Sequence, residues 1–274
     1  MNRALAVAWA IGVSLLPVAA RAGDGPIQDN SFLIEEAYNQ EPGVIQHISL
    51  FQRDRASGDW VYTYTEEWPA FGQAHQLSVT LPVQRSNALA ERKVGVGDLA
   101  LNYRWQAIGN GETAVAVSPR LTLLLPTGDW QRGFGAGKPG AQVNLPISSM
   151  LGQYFVTHTN VGATWIPSAR SLAGTGDSVA MNLGQSLIWL LHANVNLMFE
   201  AAYSFGEQTL ATGTQSKQSL FLSPGIRGAV DLPVWLGVQV VGGVAAPIGV
   251  GPSSGERGAI AYLSFEHAVT KNPW

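Results

Sequence analysis

Two residues with the chemistry of a nucleophile and its base lie close together near the start of the chain. His47 and Ser49 are two positions apart in a stretch of alternating polar and apolar residues, so on a β-strand their side chains share one face. A serine nucleophile needs a histidine to accept its proton and an acid or amide to orient the imidazole. Asp59 or Glu66, across a predicted hairpin, would supply that acid. The spacing therefore offers acyl hydrolysis as one hypothesis.

The remaining residues with reactive or metal-binding side chains do not form a recognisable motif. A phosphate-binding loop requires a glycine five residues before its Gly-Lys pair and a serine or threonine after it, but Arg132 and Pro139 occupy those places around Gly137-Lys138. The histidines also lack the spacing of metal ligands; they are His47, His75, His158, His192 and His267. We therefore expect a flexible external loop at 132–139, and no metal and no cofactor.

The elements that would position these residues are predicted β-strands. In Gln76–Val83 apolar and polar residues alternate, which predicts one apolar and one polar face. Each such run is roughly ten residues long, about the length that a tilted strand needs to cross a bilayer core. The predicted strands are 44–53, 60–68, 75–83, 97–107, 113–125, 140–148, 153–166, 178–191, 195–205, 218–230, 234–247 and 257–269.

The connections between these strands alternate in length. The short ones are 69–74, 108–112, 149–152, 192–194 and 231–233, and the long ones are 84–96, 126–139, 167–176, 206–217 and 248–256. Only the first, 54–59, breaks the pattern. Outer-membrane barrels have short periplasmic turns and longer external loops. Because a soluble β-sandwich would not sort its loops in this way, the pattern favours a barrel.

The predicted fold class is therefore all-β, an antiparallel transmembrane β-barrel of about 12 strands. Lipid cannot satisfy backbone N–H and C=O groups, so strands in a membrane must close on themselves. Charged residues make up 13% of the chain, against about 25% in an ordinary soluble domain. Aromatic residues suited to the two interfacial girdles lie near strand ends or on apolar faces; they are Trp60, Tyr62, Tyr64, Trp68, Tyr103, Trp105, Trp165 and Trp189.

The N-terminus predicts export. Arg3, the apolar run Ala4 to Val18 and the small-x-small site at 20–22 describe a signal peptide, residues 1–22, that is cleaved after Ala22. We expect residues 23–43 to form a separate segment, either in the lumen or on the periplasmic rim, and residues 44–274 to form the barrel. Within this segment, Asp29-Asn30-Ser31 would cap a short helix over 32–39. The expected location is the cell outer membrane.

Function would lie on the polar faces that line the lumen. The candidate lumen-lining residues are Gln76, Asp98, Asn102, Arg104, Arg120, Gln142, Asn144, His158, Asn160, Asn182, Glu200, Arg227 and Glu266. Both signs of charge are present, so mutual pairing inside the barrel is the simplest interpretation. Alternatively, the three arginines facing acidic residues would create a field that favours polar or weakly anionic solutes. Since eight strands enclose a filled interior and sixteen an open channel, twelve predict a narrow or plugged pore.

The same assignment of faces weighs against hydrolysis. Val44, Ile48 and Leu50 would take the lipid side of the first strand, which leaves His47 and Ser49 in the lumen. A hydrolase of membrane lipids would need them on the lipid side. We therefore expect no catalytic residues and no enzymatic activity.

Two stretches resemble a known family. Asp29 to Glu41, running into Val44 to His47, is similar to the start of proteins of the MetA-pathway of phenol degradation family. Leu125 to Trp130, with the glycines at 133, 135 and 137 and then Gln142 to Pro146, resembles the central motif of that family. The resemblance implies an outer-membrane barrel that passes small compounds, aromatic ones included. Pro273 before the final Trp274 departs from the usual C-terminal aromatic assembly signal.

These patterns together predict an outer-membrane channel or transporter for small compounds, hydrophobic or aromatic ones included. Two alternatives stay open: an acyl hydrolase using His47 and Ser49, and a structural or adhesive barrel that acts through loops 126–139 and 206–217. The expected partners are outer-membrane lipid, a small-molecule solute and, during biogenesis, the barrel assembly machinery. A net charge of −3 without a basic tract gives no reason to expect nucleic acid as a partner.

Overall fold

The computed structural model describes residues 29–86, 93–111, 113–232 and 238–268. The predicted signal peptide, residues 23–28 and the C-terminal Pro273-Trp274 lie outside the described residues. So do parts of the predicted loop 84–96 and of the predicted strands 234–247 and 257–269.

Twelve antiparallel strands form one closed barrel, as the alternation of polar and apolar residues predicts. In chain order the strands are β1 (Val44–Asp54), β2 (Trp60–Pro69), β3 (His75–Ser86), β4 (Lys93–Val96 and Leu99–Trp105), β5 (Val115–Val117 and Arg120–Leu125), β6 (Gly140–Leu151), β7 (Phe155–Ser171), β8 (Gly174–His192), β9 (Val195–Leu210), β10 (Gly213–Asp231), β11 (Val238–Ala245 and Ile248–Gly249) and β12 (Gly258–Ala268). Each strand pairs with its neighbours in sequence. β1 pairs with β12 from Val44↔Ala268 to Asp54↔Gly258, which closes the barrel. The predicted all-β fold class is confirmed.

The two rims of the barrel differ. β1 begins and β12 ends at one rim, which we call the proximal rim; the opposite one is the distal rim. The segment that precedes β1 enters the lumen from the proximal rim, because its last residues run into Val44. Every position in the barrel can therefore be described by its strand and its distance from the proximal rim.

The outward faces of the strands form an apolar belt. Leu101, Leu121, Leu183 and Phe199 project from different strands and are exposed. On β7, Phe155 at the proximal end and Trp165 toward the distal end are also exposed. They are ten residues apart, so the apolar part of this strand spans about 25 Å along the barrel axis at the usual rise and tilt. That height matches the hydrocarbon core that a barrel of this kind must cross. Among the described residues, no helix is long and apolar enough to cross a membrane.

Three prolines explain why three strands are interrupted. Proline has no N–H, so the strand beside it loses a ladder hydrogen bond at that level. Pro82, Pro146 and Pro224 each accept one bond through the carbonyl, from Gly97, Ser118 and Ala246 respectively. β4, β5 and β11 break at these same levels, at 97–98, 118–119 and 246–247. The breaks in the wall therefore follow from the sequence of the neighbouring strands.

One side of the barrel is much taller than predicted. β7, β8, β9 and β10 contain 17, 19, 16 and 19 residues, and tight hairpins at 172–173 and 211–212 join them. The prediction of long loops at 167–176 and 206–217 was therefore wrong, because most of these residues belong to the strands. They are polar, small or glycine and lack the alternation that marks a half-buried strand, so the pairing between strands determines their conformation. Beyond the apolar belt the four strands project as a wall on the distal side.

Candidate functional site

The lumen is crossed by residues 29–43, which we call the luminal segment. The helix predicted over 32–39 is absent; the segment is an irregular coil that follows the inside of the wall. At its start, Asp29 contacts β12 and β1, and Leu33 then contacts β9. Further along, Glu35 contacts β7 and Ala37 contacts β6. Near Asn39 it reaches β4, and it returns to β3 and β1 at Gln40. The segment therefore makes about one turn around the inside of the barrel.

Side chains of the wall replace the hydrogen bonds that a helix would have given this segment. The N–H groups of residues 33, 35, 37 and 40 donate to Glu200 Oε1 at 2.7 Å, Asn160 Oδ1 at 2.9 Å, Ser148 Oγ at 2.7 Å and Gln76 Oε1 at 2.7 Å. A buried backbone group without a partner is costly, and no neighbouring strand is available inside the lumen. The polar residues of the inward faces therefore have a structural purpose: they satisfy the backbone of the coil.

Arginines of the wall bind the carbonyl groups of the luminal segment. Arg104 donates to the carbonyls of Glu36 at 3.1 Å and Tyr38 at 2.8 Å and, through Nε, to Asn39 Oδ1 at 2.8 Å. Arg227 donates to the carbonyls of Asp29 at 2.7 Å and Asn30 at 3.0 Å. The planar guanidinium group suits this task, because it presents several N–H donors in a fixed geometry.

Arg120 anchors the segment through a side chain instead of the backbone. It forms an ion pair with Glu35 and also donates to Gln142. The other carboxylate oxygen of Glu35 accepts from Asn144 Nδ2 at 2.6 Å. Hydrogen bonds to ionised groups are stronger than those between neutral groups, so Glu35 is a firm attachment point.

Two apolar residues of the segment fit into notches formed by glycines of the wall. Phe32 is 3% exposed and packs on Tyr262, with 5.3 Å between ring centroids. A Cβ on Gly243 would lie 2.3 Å from the ring of Phe32, and one on Gly184 would lie 2.2 Å from Ile34 Cδ1. Sequence reasoning missed these notches; their signal was glycine at inward positions of strands.

Asp29 is the anchor at the start of the described segment. Its carboxylate accepts from Tyr262 Oη at 2.5 Å, Ser264 Oγ at 2.6 Å and Gln46 Nε2 at 3.0 Å. Burial raises the pKa of Asp29, while the charge of Arg227 and the hydrogen bonds from Ser264 and Tyr262 oppose the shift. Asp29 thus ties the segment to β1 and β12, the two strands whose pairing closes the barrel.

Glu36 is the buried carboxyl group in the middle of the luminal segment. It is buried, and its N–H donates across the turn to Asn30 Oδ1 at 3.0 Å. Burial and the negative charge of Asp29 raise the pKa of Glu36 well above its usual value, while Arg104 and Arg227 act in the opposite direction. Arg104 is on β4 and Arg227 on β10, six strands away in a ring of twelve, so the two cations act on Glu36 from opposite sides of the wall. Glu36 is therefore a buried carboxyl group of the luminal segment that both arginine anchors influence.

Most of the residues predicted to line the lumen lie at this contact. Eight bond directly to the luminal segment: Gln76, Arg104, Arg120, Asn144, Asn160, Glu200, Arg227 and Glu266. Three lie one step away, as Gln142 bonds to Arg120, Asn182 to Asn144, and His158 to Ser148. Asn102 is buried in a separate set of bonds with Ser78 and Thr122.

Asp98, the last of the thirteen, binds the distal loop 126–139 instead. Its carboxylate accepts from the N–H groups of Gly128 at 2.9 Å and Ala136 at 2.7 Å. Phe134 of this loop is 1% exposed and lies against Gly95. The glycine-rich stretch predicted as a flexible loop is thus packed against the wall, and its glycines permit close approach of the backbone.

Above the luminal segment, on the distal side, lies a cavity of about 510 Å³, which we call the distal cavity. Leu33 and Ile34 of the segment form its floor. Its walls come from β1, β2, β3, β7 to β10 and β12, and its mouth is at the distal ends of β1 and β3. A compound entering from the distal side would therefore reach this cavity first and meet the luminal segment at its base.

The orientation predicted for His47 and Ser49 was wrong. Ile48 packs in the lumen with Phe32, so the alternate residues His47 and Ser49 point outward. His47 Nδ1 is 2.8 Å from Tyr64 Oη and 3.5 Å from Glu66 Oε2, whereas Ser49 Oγ is 3.0 Å from Tyr62 Oη. Serine and histidine therefore each bond to a different tyrosine of β2.

Comparison with known proteins is informative at the level of the fold. No protein-family model matches the sequence, and no curated protein matches it. The transport unit of the autotransporter AIDA-I from Escherichia coli matches at 11% identity over 87% of this chain and 94% of that chain, with a TM-score of 0.46. The COG4313 outer membrane channel from Pseudomonas putida F1 matches with a TM-score of 0.64 and 14% identity, over 85% of this chain and 97% of that chain. The chain therefore shares the fold of an outer-membrane barrel.

Proposed function

We propose that this chain is an outer-membrane channel for small compounds, hydrophobic or aromatic ones included, and that the luminal segment is its constriction. The observation that carries the proposal is how the segment is held. In the part of the chain that the structure describes, the segment pairs with no strand of the wall and is bound by side chains, two glycine notches and the ion pair of Glu35 with Arg120. A coil held in this way can leave its place while all twelve strands stay paired.

The wider assignment belongs to the same proposal. The motifs at 29–41 and 125–146 support membership in the MetA-pathway of phenol degradation family. The apolar belt supports an outer-membrane location with lipid as one partner, a small solute as the other, and the barrel assembly machinery acting during biogenesis. The fold that the chain shares with the Pseudomonas outer membrane channel supports the barrel architecture on which the proposal depends.

Conductance in planar lipid bilayers tests the proposal. We expect small or rare current steps from the native chain and larger, more frequent ones from a variant that lacks residues 29–40, since the segment lies in the lumen with most of its side chains buried there. Both proteins must first show heat-modifiable migration on a gel, which reports a folded barrel. Two folded barrels that both stay silent would overturn the proposal.

We further propose that the barrel acts without catalysis. Ser49 bonds to Tyr62 and not to His47, so the histidine is not placed to accept the proton of the serine. Ser49→Ala should leave the lipid composition of the membrane unchanged from that given by the native chain. If the native chain turns over lipid and Ser49→Ala does not, the hydrolase hypothesis is supported and the proposal of a non-catalytic barrel is wrong.

A further inference from the structure

Three arginines meet on the outer surface of the barrel at the distal rim. Ile260 of β12 is buried in the lumen, so the alternate positions of this strand face outward, and Arg257 continues that alternation. Arg53 faces outward on β1, opposite Ala259 and therefore diagonal to Arg257. Arg55 follows in the turn after β1, and its N–H donates to the carbonyl of Arg257 at 2.9 Å. We call these three residues the rim arginines.

The rim arginines are exposed and have no acidic partner on their own face of the wall. The described residues supply no ion-pair partner for any of the three. Asp54 lies at the alternate position between two of them and accepts from the N–H and the hydroxyl of Ser57 at 2.6 and 2.8 Å. Asp59 and Glu256 each come directly before an outward-facing residue, so they also take the alternate positions. Since like charges on neighbouring positions repel, this face of the rim favours an anion.

The rim arginines lie at the distal boundary of the apolar belt. The outward positions of β12 between Arg257 and His267 are all apolar; they are Ala259, Ala261, Leu263 and Phe265. The strand from Arg257 to His267 covers about 25 Å along the barrel axis at the usual rise and tilt, which is the height of a hydrocarbon core. The guanidinium groups at the distal end of this stretch are therefore at the level of the lipid head groups.

Below the rim arginines a shallow groove runs along the outer face of β12. Ala259 and Ala261 form its floor, because their side chains are small and exposed. Ala261 is opposite Phe51 of β1 on one side and Val244 of β11 on the other, and both of these larger side chains project outward. Trp60 supports this ridge by packing on Phe51, with 5.8 Å between ring centroids. A groove between two apolar ridges, with cations at its distal end, is complementary to an acyl chain that carries an anionic head group.

The distal rim is the external one in the proposed outer-membrane location. The hairpins at the proximal rim are short, as at 152–154 and 193–194, whereas β7 to β10 project as a wall at the distal rim. Outer-membrane barrels place short turns in the periplasm and longer structures outside. The lipid beside the rim arginines is therefore that of the external leaflet, where acylated disaccharides carry phosphate groups.

We propose that the rim arginines bind the phosphate groups of lipid A, the phosphorylated glycolipid of the external leaflet, with one of its acyl chains in the groove over Ala259 and Ala261. Arginine suits a phosphate because its planar donors bind two oxygens at once. A phosphate monoester carries about 1.5–2 negative charges at neutral pH, so it matches clustered arginines better than the singly charged diester of a glycerophospholipid. The inference rests on the outer-membrane location in the proposed function, but lipid binding needs no conduction.

Native mass spectrometry of the full-length protein in detergent, titrated with lipid, tests the proposal. The probes are diphosphoryl lipid A, monophosphoryl lipid A and dimyristoylphosphatidylglycerol. We expect diphosphoryl lipid A to bind about tenfold or more tightly than the phosphatidylglycerol, with monophosphoryl lipid A between them. Equal affinity for the three lipids would overturn the proposal. Tighter binding of the phosphatidylglycerol would also overturn it, because the site would then be one for glycerophospholipid.

Variants locate the site. Arg53→Gln combined with Arg257→Gln should weaken diphosphoryl lipid A about tenfold or more and reduce its preference over the phosphatidylglycerol. Arg132→Gln combined with Lys138→Gln removes the same charge from the distal loop between β5 and β6 and should leave the affinity unchanged. Ala261→Phe fills the groove, so it should weaken both forms of lipid A by the same factor. Heat-modifiable migration confirms that each variant is folded, and a folded double variant at the rim that binds lipid A like the native chain refutes the site.

Lipid binding and conduction can fail independently. If lipid A binds at the rim arginines but neither the native chain nor the variant without residues 29–40 conducts, the lipid site stands and the channel is refuted. If these proteins conduct but the rim variant binds lipid A like the native chain, the channel stands and the lipid site is refuted.

Discussion

Closing a glycine notch should release the luminal segment from the wall. Gly243 of β11 faces Phe32, and a Cβ at this position would lie 2.3 Å from Cζ and 2.7 Å from Cε1 of the ring. Real Cβ atoms do not approach other atoms so closely, and the backbone carbonyl of Ile226 at 2.9 Å leaves little room on the other side. Gly243→Ala therefore forces Phe32 out of its present position, although it adds only one methyl group.

The size of the effect follows from the burial of Phe32. The side chain is 3% exposed, and removing a buried phenylalanine from its site costs roughly 1.5–3 kcal/mol. Taking about 2 kcal/mol, and a factor of ten for each 1.4 kcal/mol, the equilibrium between the seated and the released segment shifts about 30-fold toward release. Open-channel probability in single-channel recordings should rise by a similar factor.

A matched control separates release of the segment from a general effect of alanine in a strand. A Cβ added to Gly206 of β9 would meet no other atom within 4 Å, so Gly206→Ala should leave gating unchanged. The chain has no cysteine, so Ser31→Cys adds a unique reporter next to Phe32 in each background. Its rate of reaction with a maleimide should rise about 30-fold with Gly243→Ala, in line with the free-energy change of about 2 kcal/mol. Equal open probability and equal labelling in the two alanine variants would refute the reasoning.

Two further predictions concern charges at the segment. Burial raises the pKa of Glu36 while the luminal segment is bound to the wall, so Glu36 ionises more easily once the segment is released. The free energy that holds the segment in place therefore decreases as the pH rises from the ordinary carboxyl pKa toward the raised pKa. Open probability should rise with pH, Glu36→Gln should flatten that dependence, and an unchanged pH profile in the variant would contradict this role. Arg104→Ala leaves three buried acceptors of the segment without their donor, at about 1–3 kcal/mol each, so it should hold the channel open. Arg104→Lys should give an open probability between those of the native chain and Arg104→Ala. Arg132→Ala, in the distal loop, is the control and should not raise the open probability. If both Arg104 variants have the open probability of the native chain, Arg104 does not anchor the segment.

Much of the barrel could be predicted because its strands obey a local rule. Leu99, Leu101 and Tyr103 alternate with Asn102 and Arg104, and a strand turns such residues to opposite faces whatever its partners are. This local rule was sufficient for the number of strands. It failed for the distal parts of β7 to β10, because residues such as those at 167–176 have no alternation and become strands through pairing with their neighbours.

The faces of β1 show a different kind of failure. Val44, Ile48 and Leu50 look like lipid-facing residues, yet Ile48 and Leu50 pack in the lumen against the cluster that contains Phe32. The predicted alternation of β1 was correct. Which of its two faces points into the lumen depended on the luminal segment, which supplies apolar surface inside the barrel. A single strand cannot indicate which of its faces meets lipid when both environments are apolar.

The conformation of residues 29–43 was decided in the same way by distant residues. The capping signals at 29–31 are consistent with a helix, but a helix satisfies its own backbone groups, whereas here Glu200, Asn160 and Ser148 of the wall accept the N–H bonds. Those residues lie more than 100 positions away in the sequence. No pattern within the segment contains that information.

The sequence by itself determined that the chain makes about twelve two-faced strands and must bury their polar faces together, because alternation is a property of neighbouring residues and lipid excludes unpaired backbone. Only the tertiary structure decided that residues 29–43 lie in the lumen without forming a helix, that side chains of distant strands bind their backbone, and that Phe32 and Ile34 fit against glycines of the wall. These features depend on contacts between residues far apart in the chain, and closing the barrel is what brings such residues together.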